Sequence, residues 1–510
     1  MAFTDRLANR GSISTTYDID NSCRVGANGA AAADEVLTYT YSGAPTSQKK
    51  GTISMWFKRS DIGSNLGLFQ FGDDGSGDYF ATRITRAATN DPQAQLFYRS
   101  KIDGTETTIG GSAASLRDMS AWYHLVIGID TTQGTATNRF KPYLNGVEIP
   151  FGNGMDDDRS LITQHDDMAI GENGKYVLIG EGVYKFDGYI ADVHYVDGQQ
   201  LAASDFGKTD DDSGIWVPKK YGGSFGNNGF KLEFKETGTS ANSSGIGADT
   251  SGNGHHFTLT GIDATNQTTD TPTNNFCTLN PNDRTIGTTY GGQIKSGALE
   301  YQPESGTSAI RGTMGVTKGK WYWVCKLATY AGQFAGVCTA NANIPVTSTQ
   351  EGGWIMNSED GDIHGTSFYA NSHFRSYGAR DGTAFQSAYA YAVGTITYGD
   401  IMGVAFDADN LDLYISKTGS WTDMKANQDP EGDPGSNTAY GYHSYFNNDE
   451  NEPWLPVFSN TYNQDMTLNF GNPPFSISSS NADANGYGNF EYAVPDGYYA
   501  LCTKNIAEFG

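Results

Sequence analysis

The groups in this chain that could do chemistry are a serine motif, a histidine pair, three acidic loops and an aromatic run. Gly222-Gly223-Ser224-Phe225-Gly226 fits G-x-S-x-G, the spacing that exposes a nucleophilic serine between a strand and a helix. Here the turn Pro218-Lys219-Lys220-Tyr221 precedes it and Gly226-Asn227-Asn228-Gly229 follows, so it reads as a glycine-rich loop. His255-His256 needs a third metal ligand that the sequence does not nominate, and it reads as a surface loop. No HExxH, Walker A or dinucleotide fingerprint occurs.

Calcium fits the acidic loops better, because hard cations take clustered oxygens. Asp249-x-Ser251-x-Asn253-Gly254 has the alternating side-chain oxygens and turn glycine of a calcium loop, but Thr260 stands where a bidentate glutamate belongs. Asn481-x-Asp483-x-Asn485-Gly486 is similar, with Glu491 one place early. Asp73, Asp74 and Asp78 crowd a third acidic turn. Each loop also reads as an Asx-rich turn held by its own backbone hydrogen bonds, and both readings stay open.

The best recognition candidate runs from Tyr440 to Trp454. It is too polar for a core strand, yet it carries Tyr440, Tyr442, His443, Tyr445, Phe446 and Trp454 among Asn448 and Asp449. Exposed rings stack on sugars, and amides and carboxylates bond their hydroxyls. Tyr369, His373 and Phe374 form a second candidate, beside His364 and Tyr377. The opposing reading packs these rings against a neighbouring domain or subunit.

Strands must position these groups. Thr52–Phe57 alternates until Trp56-Phe57, and Leu66–Phe71 and Tyr79–Ile84 flank the acidic turn as a hairpin. Asn145-Gly146 between Phe140–Leu144 and Val147–Ile149 is the strongest hairpin signal. The 64 glycines suit turns and disfavour long helices, and 13% aromatic content supplies the cores. At 510 residues, two or three domains are expected.

The formal charge of −25 repels phosphate backbones, which argues against nucleic acid. No apolar run is long enough to span a membrane, and the first residues lead to no secretory signal. Five cysteines without CxxC spacing argue against a disulfide framework and point to synthesis in a reducing cytoplasm.

Two segments carry a resemblance. Met55-Trp56-Phe57-Lys58-Arg59, Ala121-Trp122-Tyr123-His124-Leu125-Val126, Tyr143-Leu144-Asn145-Gly146 and Phe186-Asp187-Gly188-Tyr189-Ile190-Ala191-Asp192-Val193 make residues 16–235 resemble a laminin-G-like, concanavalin-A-like jelly roll. Gly319-Lys320-Trp321-Tyr322-Trp323, Gly399–Asp407, Trp454–Ser459 and Leu468-Asn469-Phe470-Gly471 make residues 295–475 resemble a SPRY domain. The implied fold class is all-β, two jelly-roll sandwiches in tandem. Residues 1–15 are expected as an attachment segment, 236–294 as a Thr/Ser/Asn/Gly-rich surface connector, and 476–510 as a tail that docks back as an added strand.

The arrangement resembles the virion surface proteins of tailed bacteriophages. That implies a non-enzymatic tail fibre or receptor-binding protein that recognises host surface glycans. Its other partners would be further virion proteins and copies of itself, with no coiled-coil heptads to fix their number. Residues 1–15 alone precede the first domain and no shaft repeat is visible, which keeps a head-fibre or capsid decoration protein as the alternative. A polysaccharide depolymerase is the remote alternative, since concanavalin-like folds host glycosidases. Those need two flanking carboxylates, expected as an E-x-D-x-x-E-type run, and Glu233 in Leu232-Glu233-Phe234-Lys235-Glu236 lacks the intervening acid. In the SPRY resemblance, loops such as 440–454 form the ligand face. In related jelly rolls the hairpin tip of Asp73, Asp74 and Asp78 is a calcium position, so calcium is the one cofactor considered.

Overall fold

The computed structural model describes residues 17–26, 35–61, 65–73, 75, 77–85, 94–152, 157–284, 292–303, 307–327, 333–340, 342, 346–348, 354–356, 363–369, 373–380, 383–386, 399–419, 452–461 and 465–510. The described chain is nearly all antiparallel β and divides between Asn275 and Phe276 into two units, each a jelly-roll-type sandwich. Among the described residues the one α-helix is Thr503–Phe509, and no helix is long and apolar enough to cross a membrane.

In the first unit an eight-stranded sheet runs in the order Val147–Glu148, Phe140–Leu144, Tyr123–Asp130, Lys50–Arg59, Gly188–Asp197, Ser22–Val25 and Gln267–Thr268, with Phe230–Leu232 also paired to Gly188–Asp197. It faces a seven-stranded sheet ordered Thr258–Thr260, Val36–Thr40, Tyr176–Ile179, Leu66–Gly72, Tyr79–Ile84, Gln95–Ile102 and Thr105–Ser115. The alternation of strand side chains places Ile53, Met55, Phe57, Leu125, Ile127 and Ile129 in the core between the sheets.

The eight-stranded sheet departs from a simple half-buried pattern, because its other face is covered too. Every residue of Tyr123–Asp130 and Gly188–Asp197 is buried. Trp56, Trp122, Tyr189 and Ala191 pack there with Ile19, and Val126 and Val196 pack with Ala203 and Phe206. That double cover is why Trp56-Phe57 breaks the alternation seen earlier in its strand. A bulge between Ala191 and His194 lets Ile190 and Val193 both face the core, with Asp192 at φ 46°.

Residues 236–275 belong to this sandwich. Thr258–Thr260 and Gln267–Thr268 extend its sheets, and Ile246, Phe257 and Ile262 enter its core. The stretch looks like a connector in sequence because polar side chains bonding to backbone hold much of it. Ser22 Oγ donates to the Asp270 carbonyl at 2.6 Å, and Asn266 Nδ2 donates to the Arg24 carbonyl at 2.8 Å.

The second unit pairs a sheet ordered Leu279–Arg284, Thr307–Gly312, Trp454–Thr461, Gln333–Thr339, Ile363–Tyr369, His373–Arg380 and Thr383–Gln386 with a second sheet. The latter runs Gly292–Lys295, Glu300–Pro303, Met466–Asn469, Lys320–Leu327, Ile401–Asp407 and Asp412–Lys417. Trp321, Trp323 and Cys325 face the core between them, while Tyr322 and Val324 pack outward with Phe490, Tyr498 and Ala500. The C-terminal segment thus covers that face, and Tyr499–Ala500 adds to Lys320–Leu327 as a parallel strand.

Candidate functional site

The sequence-derived candidates separate once placed. Tyr440, Tyr442, His443, Tyr445, Phe446, Asn448 and Asp449 lie outside the described residues, as does Asp74. Tyr369, His373 and Phe374 lie on paired strands, Tyr369 opposite His373 and Phe368 opposite Phe374. Trp454 is a correction. It is 1% exposed, its ring lies 5.9 Å from that of Phe406, and its backbone exchanges hydrogen bonds with Val316. A ring enclosed in this way is core, and it has no face to offer a ligand.

The acidic loops order their own backbone. Asp249 Oδ1 accepts from the amides of Lys231 and Ser251, and Oδ2 accepts from the His255 amide and Ser251 Oγ. Asn253 Nδ2 donates to the carbonyls of Gly226 and Gly229, both at 2.8 Å. Asp249, Ser251 and Asn253 therefore spend their polar atoms on turns rather than on one shared cavity. Asp73 accepts from the Gly75 amide, and Asp78 accepts from the amides of Asp103 and Gly104. Asp483 accepts from the amides of Asn485, Tyr487 and Ala500. Among the described residues, no group of three or more His, Cys, Asp or Glu could hold a metal ion.

The serine and histidine motifs likewise bond to nearby backbone. Ser224 Oγ accepts from the Gly226 amide at 3.3 Å. His255 Nε2 meets the Asn227 carbonyl at 3.0 Å, and His256 Nδ1 accepts from the Asp249 amide at 3.1 Å. Glu233 is ion-paired to Lys231 at 2.6 Å and to Lys235 at 3.6 Å. Burial works to raise its carboxyl, but the Lys231 ammonium outweighs it and holds the group below the usual value, as a carboxylate.

A site that the motifs did not single out lies on the outer face of the seven-stranded sheet. Arg83 projects from Tyr79–Ile84 directly opposite Phe97 of Gln95–Ile102. Its guanidinium carbon sits 4.5 Å from the Phe97 ring centroid and 5.0 Å from that of Tyr184. Two rings thus flank one cation, an arrangement that gains from the negative faces of both. Burial is the main influence on Arg83 and lowers its pKa; Tyr184 opposes that shift and Arg99 adds to it. Arg99, two residues from Phe97 on the same side of its strand, is ion-paired with Glu106.

Gly67 makes the arrangement possible. It lies opposite Arg83 in the neighbouring strand, where a Cβ would come within 2.0 Å of the Tyr184 carbonyl oxygen. Without a side chain there, the turn at residues 181–185 crosses the sheet and brings Tyr184 over Arg83. Tyr184 is 38% exposed and stands over the half-buried Arg83. The signal available in sequence was the alternation of Phe97, Arg99 and Lys101 on one strand face; the arrival of Tyr184 is tertiary.

Residues 26–205 match the family model described as the concanavalin A-like lectin/glucanases superfamily, Laminin_G_3. A search of curated proteins finds no match to the chain. Among solved structures, the chain is similar to a SAP-like pentraxin from Limulus polyphemus, at 16% identity over 37% of this chain and 80% of that one, with a TM-score of 0.27. It is similar to the SPRY domain of human HERC1 at 13% identity, over 37% and 96% respectively, with a TM-score of 0.24. Similarity to domains LG4-5 of the mouse laminin alpha1 chain is 8% in identity, over 95% and 98%, with a TM-score of 0.27. Residues 26–205 thus match a concanavalin-A-like, laminin-G-type model, and the described chain around them is nearly all antiparallel β in two layered units.

Proposed function

We propose that this chain is a non-catalytic glycan-binding protein of a virion surface, in the manner of a bacteriophage tail fibre or receptor-binding protein. The observation that carries the binding reading is Arg83 held between Phe97 and the exposed Tyr184 on a half-open sheet face. Ring faces stack on the apolar faces of sugars, and guanidinium edges donate to hydroxyl or carboxylate oxygens. The match of residues 26–205 to a lectin-containing superfamily supports the same reading. The virion placement rests on the resemblance of the sequence segments to tailed-phage surface proteins. Weak single contacts would be multiplied by copy number.

The purified full-length chain is expected to bind host-surface polysaccharide, measured by glycan array and by biolayer interferometry on extracted polysaccharide. Arg83→Ala and Tyr184→Ala should each weaken binding about tenfold, as loss of about 1–2 kcal/mol of hydrogen bonding or stacking to the sugar implies. Undiminished binding by both folded variants overturns the site, and no polysaccharide binding by the wild type overturns the function. Antibody labelling that leaves whole virions bare overturns the placement.

A further inference from the structure

Lys58, Asp270 and Asn275 meet on the covered face of the eight-stranded sheet, remote in role from the Arg83 face. Lys58 Nζ lies 2.7 Å from Asp270 Oδ2 and 2.7 Å from Asn275 Oδ1. The Lys58 and Asp270 side chains are 1% and 0% exposed. Trp122 Nε1 donates to Asp270 Oδ1 at 3.1 Å, and the Tyr189 ring centroid is 5.2 Å from Lys58 Nζ. Asn275 Nδ2 donates to the Ser120 carbonyl at 2.6 Å, which fixes the carboxamide plane. A primary amine, a carboxamide and a carboxylate are thus assembled beside two aromatic rings, the amine and carboxylate buried and the carboxamide half-buried.

We propose that Lys58 and Asn275 join in an intramolecular isopeptide bond, with Asp270 as the proton carrier. Asp270 takes a proton from the Lys58 ammonium, leaving a neutral amine. The amine nitrogen attacks Cγ of Asn275, and Asp270 returns the proton to Nδ2. The Cγ–Nδ2 bond then breaks, and ammonia leaves with the second amine proton. The sum converts an ammonium and a carboxamide into a secondary amide and an ammonium ion, with no oxidant or cofactor. Positioning replaces the encounter that makes this reaction slow between free molecules.

The bond would link residues 217 positions apart. It would fasten the last residue of the first unit to strand Lys50–Arg59, so that a pull on the chain beyond Asn275 loads the sheet rather than peeling the 268–275 segment away. Closing so long a loop also restricts the unfolded chain, as a disulfide does.

Intact mass spectrometry of the folded full-length chain tests this directly. The expected mass lies about 17 Da, one ammonia, below that of the sequence, with a tryptic peptide that joins the segments containing Lys58 and Asn275. Lys58→Arg, Asn275→Ala and Asp270→Asn should each restore the mass expected from sequence, with far-ultraviolet circular dichroism reporting that the variants fold. A wild type at full mass with tryptic cleavage after Lys58 overturns the proposal without recourse to any variant. A deficit that maps elsewhere, or a loss of about 18 Da joining Lys58 to Asp270, overturns the assignment of Asn275 as the acyl partner. A deficit that persists in folded Asp270→Asn overturns the role given to Asp270.

Discussion

Replacing His124 by asparagine should remove about 2 kcal/mol from the acid-induced loss of stability of the first sandwich between pH 7.5 and pH 5. His124 lies between the rings of Trp56 and Trp216, at centroid distances of 4.5 and 6.1 Å. Its Nδ1 accepts from Trp216 Nε1 at 3.0 Å, which places the ring proton on Nε2, 2.8 Å from Ser54 Oγ. A second proton on Nδ1 would set two donors against each other in a buried site. Burial, with His194 as the next cause, pushes the imidazole down to about 3. In the unfolded chain it titrates near its ordinary value of about 6.5, so the folded pKa is the lower one. The stabilisation is therefore complete above about pH 6.5 and is lost as pH falls toward the folded value. At pH 5 the unfolded imidazole is protonated and the folded one is not, which costs about 1.5 pH units at about 1.4 kcal/mol each. Urea unfolding of wild type and variant at the two pH values, followed by tryptophan fluorescence, reads the difference. Equal losses in the two proteins would refute the buried neutral imidazole.

Two further outcomes follow from burial alone. Trp454→Ala should destabilise the second unit by about 3–5 kcal/mol in a denaturant titration while leaving polysaccharide binding intact; lost binding at unchanged stability would return Trp454 to a ligand role. All five cysteines are free and buried, and burial raises the Cys325 thiol to about 12, so the native protein should resist Ellman's reagent at pH 8 and release five thiols on denaturation; rapid labelling of the native chain refutes this.

The strand grammar was legible wherever one face of a strand meets a core. Leu66–Gly72 and Tyr79–Ile84 pair as the hairpin expected around the acidic turn. Asn145-Gly146 makes the expected tight turn, with both residues at positive φ, 47° and 84°. What the pattern could not give was the second cover. Ser54, Lys58 and His124 are polar residues that a two-face reading sends to solvent, yet all are buried. Their partners come from Asp270, Asn275 and Trp216, far away in sequence, and polar contacts of that kind leave no periodicity to read. The same cause hid the Arg83 site. Arg83 and Phe97 share a visible alternation, but Tyr184 reaches them only because Gly67 leaves room for another loop.

That second cover also decides where a ligand can bind on the first sandwich. The outer face of the eight-stranded sheet is occupied by the chain itself: Ala203 and Phe206 lie against Val126 and Val196, and Asp270 is anchored by Lys58 and Trp122. A sugar arriving there would have to strip apolar side chains from one another and part the buried Asp270 carboxyl from Lys58 and Trp122, a loss of several kcal/mol that stacking on a single ring cannot offset. The seven-stranded sheet presents the opposite case. Arg83, Phe97, Arg99 and Leu178 remain half-buried on it, and Tyr184 is brought to it rather than hidden by it. One sheet is thus closed by its own chain, and the proposed recognition by this unit falls to the other.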